Sequence, residues 1–277
     1  MGEQGRVTVE EGVVFGRGGG RELRCDVFRP PSSSASGGDG PAPAVLLVHG
    51  GGWQMGDRSQ LRGYGILLGR AGYVCVASEY RLIPEAPWPA QIHDVKAALR
   101  WMRAESGRLG IDPDRIAIEG NSAGGHLALL AAGTAGLAEF EGDGGNEGVA
   151  TDVAAVLAVY PPTLLPGVPG AMAPVAGAFH PEDDEARTAA AAAASPVTHV
   201  GPSFPPTLLI HGAADDLVPV RASLLMHDAL VAAGVQVDLH VYAGQPHAFD
   251  SEPRFGRLCA AEMQLFLDRY VRVPATA

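Results

Sequence analysis

The stretch Arg115-Ile116-Ala117-Ile118-Glu119-Gly120-Asn121-Ser122-Ala123-Gly124-Gly125-His126-Leu127-Ala128-Leu129-Leu130-Ala131-Ala132 decides the reading of this chain. It joins a strand-like run to a helix-like run through Gly120 to Gly124, a G-x-S-x-G pattern. A serine on so sharp a strand-to-helix turn is lifted out of the sheet with its hydroxyl exposed. The next backbone amide, that of Ala123, then points at any carbonyl oxygen the serine attacks. Glycines on either side have no Cβ and let the turn close. The same letters also describe a plain Gly/Ser/Ala turn in which Ser122 only caps the helix.

Working outward, Ala44-Val45-Leu46-Leu47-Val48 is an apolar strand-like run that leads into His49-Gly50-Gly51-Gly52-Trp53. Three successive glycines cost backbone entropy, which points to a use for bare amides. Acyl transfer needs such donors where negative charge develops, and losing one typically costs ~3 kcal/mol. Gly51, Gly52 and Ala123 are the candidate donors. A phosphate loop is the competing idea, but neither G-x-G-x-x-G nor G-x-x-x-x-G-K-[ST] fits. His49 reads as a structural residue beneath the loop.

Further along, Pro206-Thr207-Leu208-Leu209-Ile210-His211-Gly212 is a strand running into a turn that carries Asp215 and Asp216. Val235 to Tyr242 alternates like a strand and leads into Gln245-Pro246-His247-Ala248-Phe249. A serine, an acid and a histidine, each after a successive strand, appear in the chain order Ser, Asp, His. All three fall at the carboxyl ends of parallel strands, where open α/β sheets place their sites.

These pieces, with Glu79-Tyr80-Arg81-Leu82-Ile83-Pro84-Glu85 and Trp88-Pro89-Ala90-Gln91-Ile92-His93-Asp94, resemble a family. It is the α/β-hydrolase carboxylesterases of the hormone-sensitive-lipase-like group and their acetyl-xylan and feruloyl esterase relatives. The resemblance runs from about residue 44 to 270. It implies Ser122 as nucleophile, Asp215 as the acid, His247 as the base, and Gly51, Gly52 and Ala123 as the oxyanion hole. It also implies hydrolysis of short-chain, acetyl or aryl esters through an acyl-enzyme, without a cofactor or metal. Spacing from His211-Gly212 favours Asp215 over Asp216. Trp53, Asn121 and Phe249 flank the site and are expected to line the substrate pocket. Tyr80 and Arg81 are expected to pin the glycine loop, and Asp94 to bond loop backbone. Arylformamidases of the kynurenine pathway share the HGGxW loop and the serine turn, so that activity is the alternative enzyme. A non-catalytic ligand-binding module on the same fold is the rival from another class, and the presence of all three triad residues argues against it.

The rest of the sequence fits one α/β domain over 1–277: a mostly parallel eight-stranded sheet with helices on both faces. Residues 6–15 and 22–28 read as antiparallel opening strands. Further strands are expected near 44–48, 73–77, 115–119, 153–159, 206–211 and 236–242. Helices are expected near 59–70, 91–105, 123–133, 221–233 and 257–270. The stretch 32–40 reads as a flexible surface loop, and Leu137 to Ala150, rich in glycine and acids, as a mobile one. Residues 161–205, proline-rich with a helical piece from Pro181 into Ala189 to Ala194, read either as a small partial lid between the sixth and seventh strands or as a packed surface excursion with no gating role. Fewer than fifty residues precede the glycine loop, which leaves the family's helical cap in doubt.

Hydrophobic residues make up 47% of the 277, enough for a full core. The net charge of −11 argues against a nucleic-acid partner. Lys96 is the one lysine among 20 basic residues, a compositional bias and not a basic patch. The longest apolar stretches, such as Val153 to Tyr160, fall well short of the ~20 residues a membrane span requires, so no membrane partner is expected. No apolar leader follows the polar start, which makes a cytoplasmic location the expectation. Cys25, Cys75 and Cys259 are too scattered for a disulfide framework or a zinc site. An edge strand or the last helix offers a route to a homodimer. His93, His126, His180, His199, His227 and His240 carry no motif.

Overall fold

Strand β3 (Ala42–Val48) sits near the middle of the sheet, and all but its first residue are buried. Successive side chains of a strand face opposite sides, so Ala44, Leu46 and Val48 enter one apolar cluster. Val45 and Leu47 enter the other. Burial on both faces is why this run reads as continuously hydrophobic instead of alternating. Each fully buried leucine contributes ~1.5–3 kcal/mol relative to exposure.

The computed structural model describes residues 5–31, 40–83, 85–165 and 184–272. Eight strands, β1 (Thr8–Gly18), β2 (Arg21–Arg29), β3, β4 (Val74–Ser78), β5 (Ile111–Asn121), β6 (Ala155–Val159), β7 (Thr207–Gly212) and β8 (Val237–Tyr242), form one sheet. Their order is β1-β2-β4-β3-β5-β6-β7-β8. β1 and β2 are antiparallel to their neighbours, and β4 to β8 with β3 run parallel. The helices are α1 (Arg62–Arg70), α2 (Ala90–Ala104), α3 (Ser106–Leu109), α4 (Ala123–Gly133), α5 (Ala138–Glu141), α6 (Asp184–Ala193), α7 (Arg221–Ala232) and α8 (Pro253–Leu267). Buried residues of α2, α4 and α7 belong to the first cluster; those of α1 and α8 belong to the second. No helix among the described residues is long and apolar enough to cross a membrane. All three cysteines are free and buried, and burial pushes the Cys25 and Cys259 thiols up to about 12.

Pairing register brings the site together. Val48 of β3 lies opposite Gly120 of β5, and Asn121 lies opposite Val159 of β6. The glycine loop therefore leaves β3 at the level where the serine turn leaves β5.

The segment Leu137 to Ala150 is not the mobile loop its composition suggests. It contains α5, and the Glu141 carboxylate takes hydrogen bonds from Lys96 Nζ (2.9 Å), Arg100 Nη1 (3.1 Å), Thr151 Oγ1 (2.7 Å) and the Gly136 amide (2.9 Å). Arg100 also donates to the Glu141 and Gly145 carbonyls at 2.7 and 2.8 Å. Lys96 and Arg100 project from α2 into buried surroundings, and a buried cation without partners is very costly. The loop is held because those two cations need its oxygens. Burial lowers the Lys96 pKa, and the bond to Glu141 opposes that shift.

The helical piece expected within 161–205 is α6, while residues 166–183 lie outside the described residues, as do the loop positions 32–39. On the flanks, Leu165 donates to Ser195 Oγ at 2.9 Å, and Thr163 Oγ1 donates to the Ala222 carbonyl at 2.7 Å. Ala191 and Ala194 pack into the first cluster.

His126 lies in the first turn of α4, with no exposed surface and its Nε2 2.7 Å from the Ala194 carbonyl. Burial lowers its pKa to about 4. An unfolded histidine protonates near 6.5, so between about 6.5 and 4 the unfolded chain binds a proton that the folded chain refuses. Stability must therefore fall as pH drops through that window. From pH 7 to pH 5 the His126 contribution falls by about 2 kcal/mol. In urea unfolding at the two pH values, His126→Gln is expected to flatten the decline by that amount. An unchanged slope would show that this histidine takes up its proton in the folded state.

Candidate active site

Ser122 adopts φ 53° and ψ −118° between the last residue of β5 and the first of α4. Its amide donates to the Val159 carbonyl at 2.8 Å, and its carbonyl accepts from His126 at 2.9 Å. The turn is possible because of its flanking glycines. A Cβ on Gly120 would lie 2.3 Å from the Gly124 backbone, and one on Gly124 would lie 1.9 Å from the Val48 carbonyl oxygen.

Facing this turn, His247 Nε2 lies 2.9 Å from Ser122 Oγ, and Nδ1 lies 2.7 Å from Asp215 Oδ2. Asp215 Oδ1 accepts from the Leu217 and Val218 amides at 3.0 and 2.8 Å. Asp216, its neighbour, is exposed, so Asp215 is the carboxylate within reach of the imidazole. Burial pushes the Asp215 carboxyl up, but hydrogen bonds from His211, His247 and the Val218 amide outweigh it and hold the group well below the usual carboxylate range. His211 is fully buried. Its Nε2 lies 3.4 Å from Asp215 Oδ2 and 2.7 Å from the Val218 carbonyl, and its Nδ1 lies 2.7 Å from Ser223 Oγ. Exposure rises along the line, from an Asp215 side chain with none to 16% for His247. An imidazole set between a buried carboxylate and a hydroxyl can take the hydroxyl proton and be stabilised as its cation.

The glycine loop lies against the serine turn. A Cβ on Gly50 would sit 2.9 Å from the Asn121 carbonyl oxygen and 3.4 Å from Ser122 Cβ. Gly51 and Gly52 have φ 115° and 60°, and the Gly51 carbonyl accepts from Gln54 and Met55, both at 3.1 Å. Ala123 opens α4, so its amide is among those a helix leaves without an intrahelical acceptor. The loop is braced from below. Tyr80 donates to the His49 carbonyl at 3.1 Å and stacks on the His49 ring at 4.3 Å. Burial lowers the His49 pKa. Asp94 accepts from the Arg81 amide (2.8 Å) and from its guanidinium. Gln91 donates to the Arg81 and Ala86 carbonyls. Tyr80 thus braces the loop as expected, and Asp94 bonds loop backbone at the Arg81 amide, while the Arg81 guanidinium pairs with Asp94 and not with the glycine loop.

Three residues expected in the substrate pocket are buried, with their side chains in other contacts. Trp53 has no exposed surface and meets His126 edge-on at 5.1 Å. Its ring packs in the first apolar cluster, and its backbone has a φ of 60°. Phe249 is 4% exposed and packs among Tyr160, Tyr242 and Phe255. Asn121 is the third. Its Nδ2 donates to Tyr160 Oη at 3.0 Å and to Asp250 Oδ2 at 2.5 Å. Sequence reasoning passed over Asp250, Tyr160, Tyr64, His211 and Glu119. Only the positions of Tyr160, just past β6, and Asp250, just past His247, carried a signal. Glu119 is fully buried, with no hydrogen-bond partner for either carboxyl oxygen among the described residues. Burial, with Asp250 adding to it, pushes its pKa well above the usual range.

A family model described as BD-FAE matches residues 25–230, most of the chain. The chain belongs to the BD-FAE family. Within it the α/β-hydrolase expectation for the fold holds, and among solved structures the match extends over nearly the whole chain. A truncated carbohydrate esterase from gut microbiota superposes with a TM-score of 0.82 over 98% of this chain and 99% of that one, at 24% identity, a likeness that speaks for the fold alone. An esterase from Thermogutta terrifontis with butyrate bound gives 0.80 over 96% of this chain and 95% of that one, at 25% identity. By sequence, the probable carboxylic ester hydrolase LipM of Mycobacterium tuberculosis is 37% identical over 83% of this chain and 54% of its own length. Esterase LipC of the same organism is 35% identical over 76% and 54%. The chain therefore spans about half the length of the curated relatives it matches.

The buried position of Asp215 sets a direct comparison. Asp215→Asn is expected to lower kcat on a nitrophenyl ester by roughly 10⁴, because an amide no longer stabilises the imidazolium. The exposed Asp216→Asn should stay within a factor of about three, as an exposed side chain remote from the imidazole contributes little. Steady-state kinetics on the two variants checks this, and a greater loss at Asp216 would reassign the acid.

Proposed function

We propose that this BD-FAE protein is a serine carboxylesterase that hydrolyses short-chain acyl esters through an acyl-enzyme. The observation that carries the reading is the unbroken hydrogen-bonded line Ser122 Oγ, His247, Asp215 at 2.9 and 2.7 Å, on a turn whose serine has positive φ.

In this mechanism His247 Nε2 takes the Ser122 proton as Oγ bonds to the ester carbonyl carbon. Asp215 holds Nδ1–H and so fixes the tautomer and the ring plane. The carbonyl oxygen gains the negative charge and rests on the Gly51, Gly52 and Ala123 amides. The carbon–oxygen bond to the alcohol then breaks as His247 returns the proton to the leaving oxygen. A water molecule repeats the sequence on the acyl-serine, giving up its proton to His247, and the acid departs. Every proton moves over one imidazole.

Short acyl groups are favoured by the likeness to the Thermogutta terrifontis esterase, whose structures include butyrate-bound and propionate-bound forms. In a pocket of limited depth each methylene left in water forgoes ~0.8 kcal/mol of binding. Added carbons then bring no further transition-state stabilisation. The related LipM and LipC are described as ester hydrolases, and the same chemistry is proposed here.

The test is kinetic. Ser122→Ala is expected to remove about 10⁶ of kcat while the protein stays folded, the loss typical of a triad nucleophile. Across nitrophenyl esters kcat/KM should peak between acetyl and hexanoyl and fall by decanoyl. Acetylated xylan, feruloyl esters and formylkynurenine complete the panel. A folded Ser122→Ala with a tenth of the wild-type rate would overturn the nucleophile. A maximum at decanoyl or beyond would overturn the acyl preference.

A further inference from the structure

We infer that Asp250 is a positioning residue for the triad, joining the histidine loop to the serine turn through Asn121 and Tyr160. This rests on the serine esterase reading above. Asp250 lies three residues beyond His247, in a 3-10 turn (Phe249–Ser251) that follows Ala248 at φ 55°. Its carboxylate accepts three hydrogen bonds from three separate elements. Tyr64 of α1 donates to Oδ2 at 2.6 Å, Asn121 Nδ2 donates to Oδ2 at 2.5 Å, and Tyr160 donates to Oδ1.

Each donor other than Tyr64 is tied to a reacting group. Asn121 immediately precedes Ser122 in the chain, so its side chain fixes the base of the turn that carries Oγ. Tyr160 has φ 39° at the end of β6. Its ring lies 4.6 Å from the His247 imidazole and 6.0 Å from Phe249. Burial first, and the adjacent Asp250 second, push the Tyr64 and Tyr160 hydroxyls well above the ordinary phenol range, so both remain donors. The carboxylate is therefore a bracket: one oxygen holds the residue next to the nucleophile, and the other holds the ring against the base. Neither oxygen reaches the reacting atoms, and its effect is on the distance between Oγ and Nε2.

The carboxylate and the Asn121 amide form a directional pair, which makes an exchange of the two groups informative. Asp250→Asn leaves three donors facing a group with one acceptor oxygen. Adding Asn121→Asp restores a carboxylate–amide pair in the opposite sense. We expect Asp250→Asn to lower kcat per active site by roughly 100-fold with KM little changed, the scale of loss for a reacting group misplaced by about an ångström. The double variant should recover to within about tenfold of wild type, as coupled neighbours do. Tyr160→Phe, which removes one hydroxyl and no volume, should lower kcat per site by about tenfold, and carries the test if Asp250→Asn does not fold.

Active sites are counted by the end point of covalent labelling with a fluorophosphonate, so a loss of folded protein cannot mimic a loss of rate. If Asp250→Asn and Tyr160→Phe both keep wild-type kcat per labelled site, the inference is overturned. A double variant no better than Asp250→Asn alone overturns the pairing with Asn121. Ser122→Ala run alongside separates the two levels: activity surviving in that variant removes the serine mechanism itself, whatever Asp250 does.

Discussion

The backbone at Ser122 is the constraint on which the rest of the site depends. A serine at φ 53° and ψ −118° is outside the regions an L residue ordinarily occupies, and such positions cost on the order of 1–3 kcal/mol each. The strain is not isolated. Of the five non-glycine residues with positive φ among the described residues, Trp53, Ser122, Tyr160 and Ala248 lie just beyond β3, β5, β6 and β8. These strand ends carry the glycine loop, Ser122, the ring beside His247, and the turn that holds His247. The Ser122 conformation persists because the sheet register, the Ser122 amide on Val159 and the close approach of Gly124 to Val48 leave it no room to relax.

Beneath that strained rim, polar groups are joined in connected sets, with Asp215 buried and Asp250 half-buried. Asp215 is held by two amides and approached by two histidines. Asp250 is held by two phenols and an amide. Burying a carboxylate is costly unless its oxygens are satisfied, so each set resists displacement of any one member. Glu119 stands apart, with both oxygens unpartnered among the described residues. A neutral acid there raises no charge-burial cost, consistent with its upward pKa shift.

The fold was legible because β3, β5, β6 and β7 are short apolar runs separated by helices with recognisable spacing. The hydrogen-bonded line of Ser122, His247 and Asp215 was legible because each member follows a strand in chain order. What escaped the sequence depended on contacts between distant segments. Leu137 to Ala150 looks mobile by composition, yet Lys96 and Arg100, forty residues earlier on α2, need its oxygens. Trp53 was expected to face the pocket because it adjoins the glycine loop, and only its burial in the core cluster shows that the ring turns inward. Asn121 lies next to the nucleophile in sequence, but its partner Asp250 is 129 residues away. Buried polar pairings of this kind leave no periodic trace.

The proposed role of Ser122 as a strained, activated nucleophile is tested most directly by covalent labelling. After reaction with a fluorophosphonate, digestion and peptide mass spectrometry should find about one adduct per chain on Ser122, with hydrolysis lost in proportion to labelling, as for an activated serine. A fully labelled Ser122 with ester hydrolysis intact, or an adduct on another residue accompanying the loss, would contradict it.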